Sequence, residues 1–361
     1  MDQKNRHING PMKKISLFSL FAVVWLAGSP FRTEGTVPYA LHTSEEMELV
    51  GFPLQLSLLD SGTVTSVHGS LVSWSPSFQI TPFAQALQQG REYYAEVVGP
   101  EGHPWLGHRF ELEETTTRTR TDHGLMAELS PLNTRGLPAA DLVGATLAVR
   151  PHLTIPFWAQ DTIERRVVHG REKADSFQFF FASPAGIAVS AVPFFSGNNL
   201  FSWVDPGSSQ TLSPNHLLIP PGSSVGVKFG SQKGLAVGLT GERHKTRVAK
   251  PLAAGFNFTA YPYPCDLRLG QDWGGPSSGF RGSTSPRGAE RIEIRVGVRR
   301  LIYSPESAPG SQLLRWRLVH PTRRHEWKQP AEYLEEIPVG QGFLVWKNRP
   351  DPDHFFHPPK P

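Results

Sequence analysis

Apolar and polar residues alternate in many short stretches of the chain, and glycine- and proline-rich turns separate these stretches. A period of two residues is typical of a half-buried β-strand. The clearest example runs through Ile292, Ile294, Val296 and Val298, which alternate with charged or small residues. Similar alternation occurs at residues 54–58, 177–181, 187–191, 225–229, 235–239 and 314–318. Strands this frequent predict an all-β fold of multiple antiparallel sheets, sandwich or barrel-like.

Turn and helix signals add detail to this fold. Residues 64–74 predict a hairpin with its turn at His68-Gly69. Residues 82–89 predict a short helix, with Thr81 as the N-cap and Pro82 at the first helical position. Residues 330–335 predict a single helical turn. Helix signals are otherwise sparse.

One pattern, Ile-Pro-x-Gly followed by a strand, occurs twice at a separation of 118 residues. Proline presets φ and glycine accepts a positive φ, so each copy predicts a tight turn that leads into a strand. The pattern therefore indicates a duplicated unit. The residues that define the two repeat turns are Ile219, Pro220, Gly222, Ile337, Pro338 and Gly340.

A second pair of matches supports the duplication. Pro156 and Asp161 resemble Pro262 and Asp266, at separations of 106 and 105 residues. The second copy is 13 residues longer between this pair and its repeat turn, and the Gly/Ser-rich segment 274–288 accounts for the excess. That composition is typical of a flexible loop. A chance match in a chain with 34 glycines and 33 prolines is the alternative.

These patterns predict four regions. Residues 1–35 form a signal peptide and its junction, and residues 45–150 form an N-terminal β-domain. Residues 151–250 form the first β-rich repeat, and residues 251–361 form the second, with the Gly/Ser insertion and a C-terminal strap. We expect Phe355 and Phe356 to dock this strap across a sheet edge.

The signal peptide is predicted from Lys13-Lys14 and the apolar run at residues 15–28. The run is too short for an ordinary membrane span; an uncleaved anchor or a buried helix is the alternative. We expect export to the periplasm, cell surface or exterior. The single cysteine, Cys265, excludes an intramolecular disulfide, and we expect it to be packed because no histidine is near it in sequence.

The formal charge of +4 is unevenly distributed. Residues 291–328 contain nine Lys/Arg against three Asp/Glu, and residues 163–173 form another basic cluster. Solvated strand faces and loops are the favoured explanation, and a patch for acidic glycans or lipid headgroups is the alternative. An exported protein seldom meets nucleic acid, so no nucleic-acid partner is predicted. A membrane is expected to meet only the signal segment, before cleavage.

Catalytic and ligand-binding chemistry is sparse in the sequence. We predict no nucleophile elbow, phosphate-binding loop or His-Glu-x-x-His zinc motif, and hence no catalytic residue, metal or cofactor. One cluster suits either a divalent cation or, as favoured, a docked tail: Asp351, Asp353, His354 and His357. Asp161 and Asp266 suit either an acid/base pair or, as favoured, the ordering of turns.

The chain resembles a family of uncharacterised exported proteins from verrucomicrobia-type bacteria. The resemblance covers residues 49 to 361 and rests on the start at residues 50–54 and on the repeated unit at 201–227 and 314–345, an aromatic strand followed by the Ile-Pro-x-Gly turn. This chain departs from the family pattern in its arginine content and its Gly/Ser insertion. The resemblance implies export and a β-rich fold, and no activity or functional residue transfers from it.

Two functions remain open. The first is a non-enzymatic structural or binding component of the cell envelope or exterior, whose partner is a glycan or another surface protein. Trp203, Trp316 and Trp346 are its candidate ligand surface, because indole rings stack on sugars; core or sheet packing is the favoured role for most such aromatics. The second is a glycan-active enzyme with an unrecognised carboxylate pair. A cleft with two carboxyl groups within about 10 Å would favour the enzyme.

Overall fold

The structure is a computed structural model. It describes residues 34–41, 44–76, 93–112, 118–120, 124–130, 138–170, 173–182, 188–196, 201–213, 217–229, 235–275, 278–287, 289–296, 299–307, 314–351 and 354–358. These residues belong to one compact unit, Thr33–Pro361. The apolar run of the predicted signal and the predicted helix at residues 82–89 lie outside the described residues.

The strands of the first half are β1 (Glu34–Leu41), β2 (Ser44–Gly51), β3 (Asp60–His68), β4 (Leu71–Pro76), β5 (Tyr93–Gly99), β6 (Arg109–Leu112), β7 (Arg118–Arg120), β8 (Gly124–Ser130), β9 (Thr146–Pro151), β10 (Leu153–Thr154), β11 (Phe177–Ala182) and β12 (Ala188–Phe195). Those of the second half are β13 (Phe201–Val204), β14 (Leu218–Ile219), β15 (Ser224–Phe229), β16 (Leu235–Glu242), β17 (Val248–Ala249), β18 (Gly255–Ala260), β19 (Leu267–Arg268), β20 (Arg291–Val296), β21 (Arg299–Glu306), β22 (Arg315–Leu318), β23 (Tyr333–Leu334), β24 (Glu336–Ile337), β25 (Gly342–Lys347) and β26 (Phe355–Phe356). The helices described are α1 (Ile155–Val168) and the 3₁₀ turns Ala139–Leu142 and Ala174–Ser176.

The all-β fold class predicted from alternation is confirmed, with several antiparallel sheets. Burial in β11 alternates strictly, and Phe177, Phe179 and Phe181 are fully buried. The predicted hairpin is also confirmed, because β3 pairs with β4 and Gly69 in the turn has a φ of 64°. Glycine is needed there because side chains disfavour positive φ.

A seven-stranded sheet, ordered β4-β3-β9-β5-β6-β8-β7, contains most of the predicted N-terminal domain. Strand β4 also pairs with β8, so all strands of this sheet except β7 close into a ring. The ring encloses its own core, which includes Trp74, Trp105, Phe110 and Leu147. Arg150 joins the ring to the rest of the chain, since its Nη1 donates to Leu56 O at 2.8 Å and to Glu242 Oε2 at 2.7 Å.

Two of the other sheets have the same internal order, and four further sheets of the described residues have two strands each. The first is β13-β12-β11-β15-β2, and the second contains β22-β21-β20-β25-β18, with β23 added at the β22 edge. Each sheet has a separate apolar core, one spanning residues 50–239 and the other 248–356. Strand β2 therefore belongs to the first repeat's sheet, although it precedes the ring in sequence, and the ring is inserted within that repeat.

The two Ile-Pro-x-Gly segments form the same turn. Gly222 has a φ of 75° and Gly340 a φ of 77°. In both, the third residue after the proline donates its N–H to the proline carbonyl at 3.0 Å. Each turn follows a two-residue strand whose isoleucine is buried, and the pairs Leu153–Ile219 and Leu267–Ile337 hold these short strands.

The two turns also connect the repeats. Gly51, at the end of β2, donates its N–H to Gly340 O at 2.8 Å, and Ala260, at the end of β18, donates to Gly222 O at 2.9 Å. The residues two positions after these two turn glycines also meet, since a Cβ on Gly342 would lie 2.5 Å from Ser224 Cβ. Equivalent positions thus contact each other, which is the arrangement of a pseudo-twofold axis.

Three local predictions were wrong. Residues 54–58 are a buried connection with one isolated bridge at Gln55, rather than a strand. Residues 330–335 contain strand β23 rather than a helical turn. The 14-residue helix α1 was missed, although Thr154 caps it by accepting from Phe157 N at 3.1 Å and Pro156 lies in its first turn.

Candidate functional site

A pocket of about 470 Å³ opens between the Gly/Ser insertion and the end of β25. It is named here the arginine pocket, and its lining residues are Gly279, Arg281, Gly282, Ser283, Arg287, Ala289, Glu290, Lys347, Asn348, Arg349, Pro350 and Asp351. The described part of the insertion packs against the sheet, because Ser283 exchanges backbone hydrogen bonds with Pro305 and Ser307. Phe280 is also buried in the second repeat's core. The insertion therefore builds one wall of a pocket.

A larger pocket of about 830 Å³ adjoins the first. It lies beside the C-terminal strap and is named here the strap pocket. Its lining residues are Arg268, Gly270, Gln271, Asp272, Gly275, Ser278, Gly279, Asp351, His354, Phe355, His357 and Pro358. Gly279 and Asp351 line both pockets.

Lys347 forms the floor of the arginine pocket. Side chains alternate along β25, so Val345 and Lys347 point inward while Trp346 points outward. The Lys347 side chain is only 3% exposed, and its Nζ lies 3.0 Å from Glu290 Oε1 and 3.6 Å from Asp351 Oδ2. It also donates to Gly279 O at 3.2 Å. A buried ammonium requires such partners, since desolvation of an unpaired charge is costly.

A hydrogen-bond chain fixes Asp351. Trp273 Nε1 can only donate, so His354 Nε2 accepts from it. The His354 proton is therefore on Nδ1, which donates to Asp351 Oδ2 at 3.1 Å. This bond lowers the pKa of Asp351, with smaller contributions from the charges of His354 and Lys347, whereas burial lowers the pKa of His354. Asp351 is consequently a carboxylate and His354 a neutral imidazole at neutral pH.

Three arginines surround the mouth of the arginine pocket. Arg281, Arg287 and Arg349 are exposed. Within the described residues, no carboxylate pairs with any of their guanidinium groups. These three cations and Lys347 outnumber the two acids of the pocket, Glu290 and Asp351. The arrangement therefore attracts an anion.

The structure brings together part of the predicted C-terminal cluster. Asp351 and His354 are hydrogen-bonded, His357 is exposed at the strap pocket, and Asp353 lies outside the described residues. Among the described residues, no group of three or more His, Cys, Asp or Glu side chains is arranged to hold a metal ion. The strap docks, since β26 pairs with β17 and Phe356 is fully buried.

Two of the three candidate ligand-surface tryptophans are inside cores. Trp203 is 4% exposed and Trp316 is 1% exposed, so neither ring is available to a ligand. Both side chains point to a sheet face that is covered by other residues. Alternation in the sequence separates the two faces of a strand but does not show which face is covered. Trp346 reaches the surface, where it contacts Phe256, but the Arg291 guanidinium lies 4.8 Å from its ring centroid and covers one face.

The two aspartates proposed as an acid/base pair lie on different kinds of element. Asp161 is exposed on helix α1, whereas Asp266 Oδ1 accepts from Val339 N at 2.9 Å and orders the second repeat turn. Pro156 comes after the short strand β10, whereas Pro262 comes before the short strand β19. This second pair of sequence matches is therefore not structurally equivalent.

Part of the basic segment 291–328 is paired with acids. Arg295 and Arg300 both pair with Glu293, and Arg317 pairs with Glu306 at 2.6 Å. Other arginines of the segment, such as Arg299 and Arg324, are exposed, which agrees with the solvated strand faces and loops favoured from sequence. The cations of the arginine pocket lie outside this segment.

Neither possible nucleophile is activated. Burial, followed by Asp272 and Asp266, raises the pKa of Cys265, so the thiol stays protonated. Residues 222–226 and 275–279 have the Gly-x-Ser-x-Gly spacing, which sequence inspection passed over. Ser224 is fully buried and begins strand β15 rather than a helix, which a nucleophile elbow requires. Ser277 lies outside the described residues.

Sequence inspection missed Lys347, Glu290 and the three pocket arginines. One signal was available, because Lys347 occupies an inward position of the alternating segment 342–347. A lysine at such a position requires an acid nearby. Glu290 supplies it because Arg291 lies opposite Trp346 in the register, which places the preceding residue beside Lys347. The pairing itself is not visible in the sequence.

No family model, curated protein or solved structure matches the chain. The resemblance to exported proteins of verrucomicrobia-type bacteria therefore stays a prediction. The described residues contain no helix with the length and apolar character that a membrane crossing requires.

Proposed function

We propose that this chain is an exported, non-enzymatic binding protein of the cell envelope or exterior, and that its ligand is an acidic glycan. The observation that carries the proposal is the arginine pocket, in which three guanidinium groups that pair with no described carboxylate surround a buried ammonium. Guanidinium groups match carboxylates in a planar, two-point geometry. A volume of about 470 Å³ is within the usual range of small-ligand sites.

Replacing Arg287 and Arg349 together with alanine should weaken binding of an acidic hexasaccharide at least tenfold, since charge-assisted hydrogen bonds are lost. The measurement is isothermal titration of the purified chain with a hexasaccharide that alternates glucuronate and N-acetylglucosamine. Affinity should also fall as salt is raised, because exposed charges are screened.

The matched control replaces Arg299 and Arg324, which are exposed outside both pockets, and should leave the affinity unchanged. The neutral hexasaccharide of maltose units should bind neither protein. Equal losses in the two double variants would show that only the overall charge matters. Absence of binding to wild type would reject the proposed ligand class.

A glycan-active enzyme is the second candidate, and one observation favours it. Glu290 and Asp351 both contact Lys347 Nζ, at 3.0 and 3.6 Å, so the two carboxylates are well within the ~10 Å of a catalytic pair. Glycoside hydrolysis, however, needs one carboxyl group that keeps its proton. Both groups here face the same ammonium, and the pKa of Asp351 is lowered, which favours binding. If the chain released new reducing ends from the hexasaccharide, the enzyme would be favoured over the binding protein.

Export rests on the apolar run at residues 15–28 and the basic pair before it. Fractionation of the native cells, followed by sequencing of the chain's N-terminus, tests it directly. A processed chain outside the cytoplasm is expected, and recovery of the unprocessed chain from the cytoplasm would contradict export.

A further inference from the structure

The two pockets differ in charge. The arginine pocket has three cations without an ion-pair partner among the described residues. Arg268, the one arginine among the described lining residues of the strap pocket, is bound to Asp272 by two hydrogen bonds of 3.0 and 3.1 Å. His357 is exposed, but partial desolvation by the pocket wall and the neighbouring Arg247 lower its pKa, so this imidazole is neutral at pH 7. Among the lining residues of the strap pocket, Asp351 is then the one whose charge no other lining residue neutralises.

Asp351 stands where the two pockets meet and has one oxygen available. Its described contacts with His354 and Lys347 use Oδ2. They hold the carboxylate in place and leave Oδ1 able to accept from a ligand hydroxyl group. Carboxylates accept such bonds strongly but repel another carboxylate at the same place.

The walls of the strap pocket suit an uncharged sugar unit. Phe355 and Pro358 supply apolar surface, and Ser278 and Gln271 supply polar groups. Sugar rings present apolar faces and hydroxyl edges, so such a mixed wall matches them. A chain of sugars that crosses Gly279 would contact both pockets at once, because this glycine lines both and carries no side chain to separate them.

We infer that the two pockets form one groove for an extended glycan in which acidic and neutral units adjoin. The acidic unit occupies the arginine pocket, and the neutral unit occupies the strap pocket with a hydroxyl group on Asp351 Oδ1. This inference rests on the proposed function. It assigns to Asp351 the selection of a neutral sugar unit over an acidic one in the strap pocket.

The test compares two hexasaccharides by isothermal titration. One alternates glucuronate and N-acetylglucosamine, and the other contains galacturonate only. Wild type should bind the alternating chain about tenfold more tightly, although the all-acidic chain has the larger charge, because a second carboxylate meets Asp351. Asp351→Asn should bring this ratio close to one. Asp141→Asn, at an exposed acid outside both pockets, should leave the ratio unchanged.

A second variant guards against an effect of Asp351→Asn on folding. Ser278→Trp fills the strap pocket without replacing Asp351, and it should abolish the preference while the arginine pocket still binds acid. Equal binding of both chains by wild type, or tighter binding of the all-acidic chain, would overturn the inference and leave the proposed function standing. Failure of wild type to bind either chain would reject both.

Discussion

Replacing Lys347 with methionine should lower the free energy of unfolding at pH 7 by about 3–5 kcal/mol, since breaking a buried ion pair leaves an uncompensated charge. Two acids depend on this ammonium: Glu290, whose side chain is 7% exposed, and Asp351. The substitution also removes the cation–π contact of Lys347 Nζ, which lies 4.5 Å from the centroid of the Phe280 ring. Urea unfolding monitored by tryptophan fluorescence gives the measurement.

The matched control is Lys328→Met, because Lys328 pairs with Glu332 at the surface. Surface ion pairs contribute little, so a change within about 1 kcal/mol is expected. Adding Glu290→Gln to Lys347→Met should recover part of the loss, because one unpaired charge disappears. If Lys347→Met and Lys328→Met were equally mild, Lys347 would not have the buried role described here.

The difference in free energy of unfolding between wild type and Lys347→Met should become smaller at acidic pH. The pKa of Asp351 is held below its ordinary value of 3.8, so its carboxylate stabilises the folded wild type above that pH, and the contribution is lost as pH falls through 3.8 and below. In the variant, protonation of Asp351 removes an unpaired charge, which narrows the difference from wild type. Burial also keeps His354 neutral, so wild type itself should lose stability as pH falls below 6.5.

Gly342→Ala should lower the free energy of unfolding by about 3 kcal/mol, at the upper end of the usual cost of overpacking. The new Cβ would lie 2.5 Å from Ser224 Cβ and 3.0 Å from the carbonyl carbons of Leu49 and Val50. The latter two are backbone atoms of β2, which cannot turn aside. The change thus strains the join between the two repeats.

The control for this substitution is Gly207→Ala, where the nearest atoms to a new Cβ are the Asp205 carboxylate oxygens at 3.7 Å. Its effect should be under about 1 kcal/mol. Ser224→Gly should restore part of the stability of Gly342→Ala, because it removes the closest contact, and the Ser224 hydroxyl has no partner to lose. A double-mutant cycle measures this coupling. Additive effects would contradict direct contact between the two positions.

The fold class was predictable because alternation in sequence marks strands, and in β11 burial follows that alternation strictly. Phe177, Phe179 and Phe181 show the pattern in sequence and are all buried. The repeat turns were visible because proline and glycine specify local geometry that depends on few neighbours. Both kinds of signal are local, which is why a single sequence carries them.

What the sequence did not reveal depends on contacts between distant residues. Strand β2 pairs with β15, 173 or more residues later in the chain, and neither segment carries a sequence signal that identifies its partner strand. The buried state of Trp203 and Trp316 depends on which sheet face is covered. Helix α1 is the exception, since its N-cap and early proline were available and were assigned instead to a sequence repeat.

The candidate site was partly predictable for the same reason. Asp351 and His354 are close in sequence and were grouped correctly, but Glu290 and Lys347 are 57 residues apart. The register of β20 on β25 brings them together. The Gly/Ser insertion was interpreted from its composition as a loop, and its role as a pocket wall depends on packing against Pro305 and Ser307.

The most direct test of the account is a crystal structure of the chain with the alternating acidic hexasaccharide. We expect a sugar carboxylate in the arginine pocket, within hydrogen-bonding distance of Arg287 or Arg349. We also expect a neighbouring hydroxyl group on Asp351. A hexasaccharide bound elsewhere, such as over Trp346, with the arginine pocket empty, would contradict it.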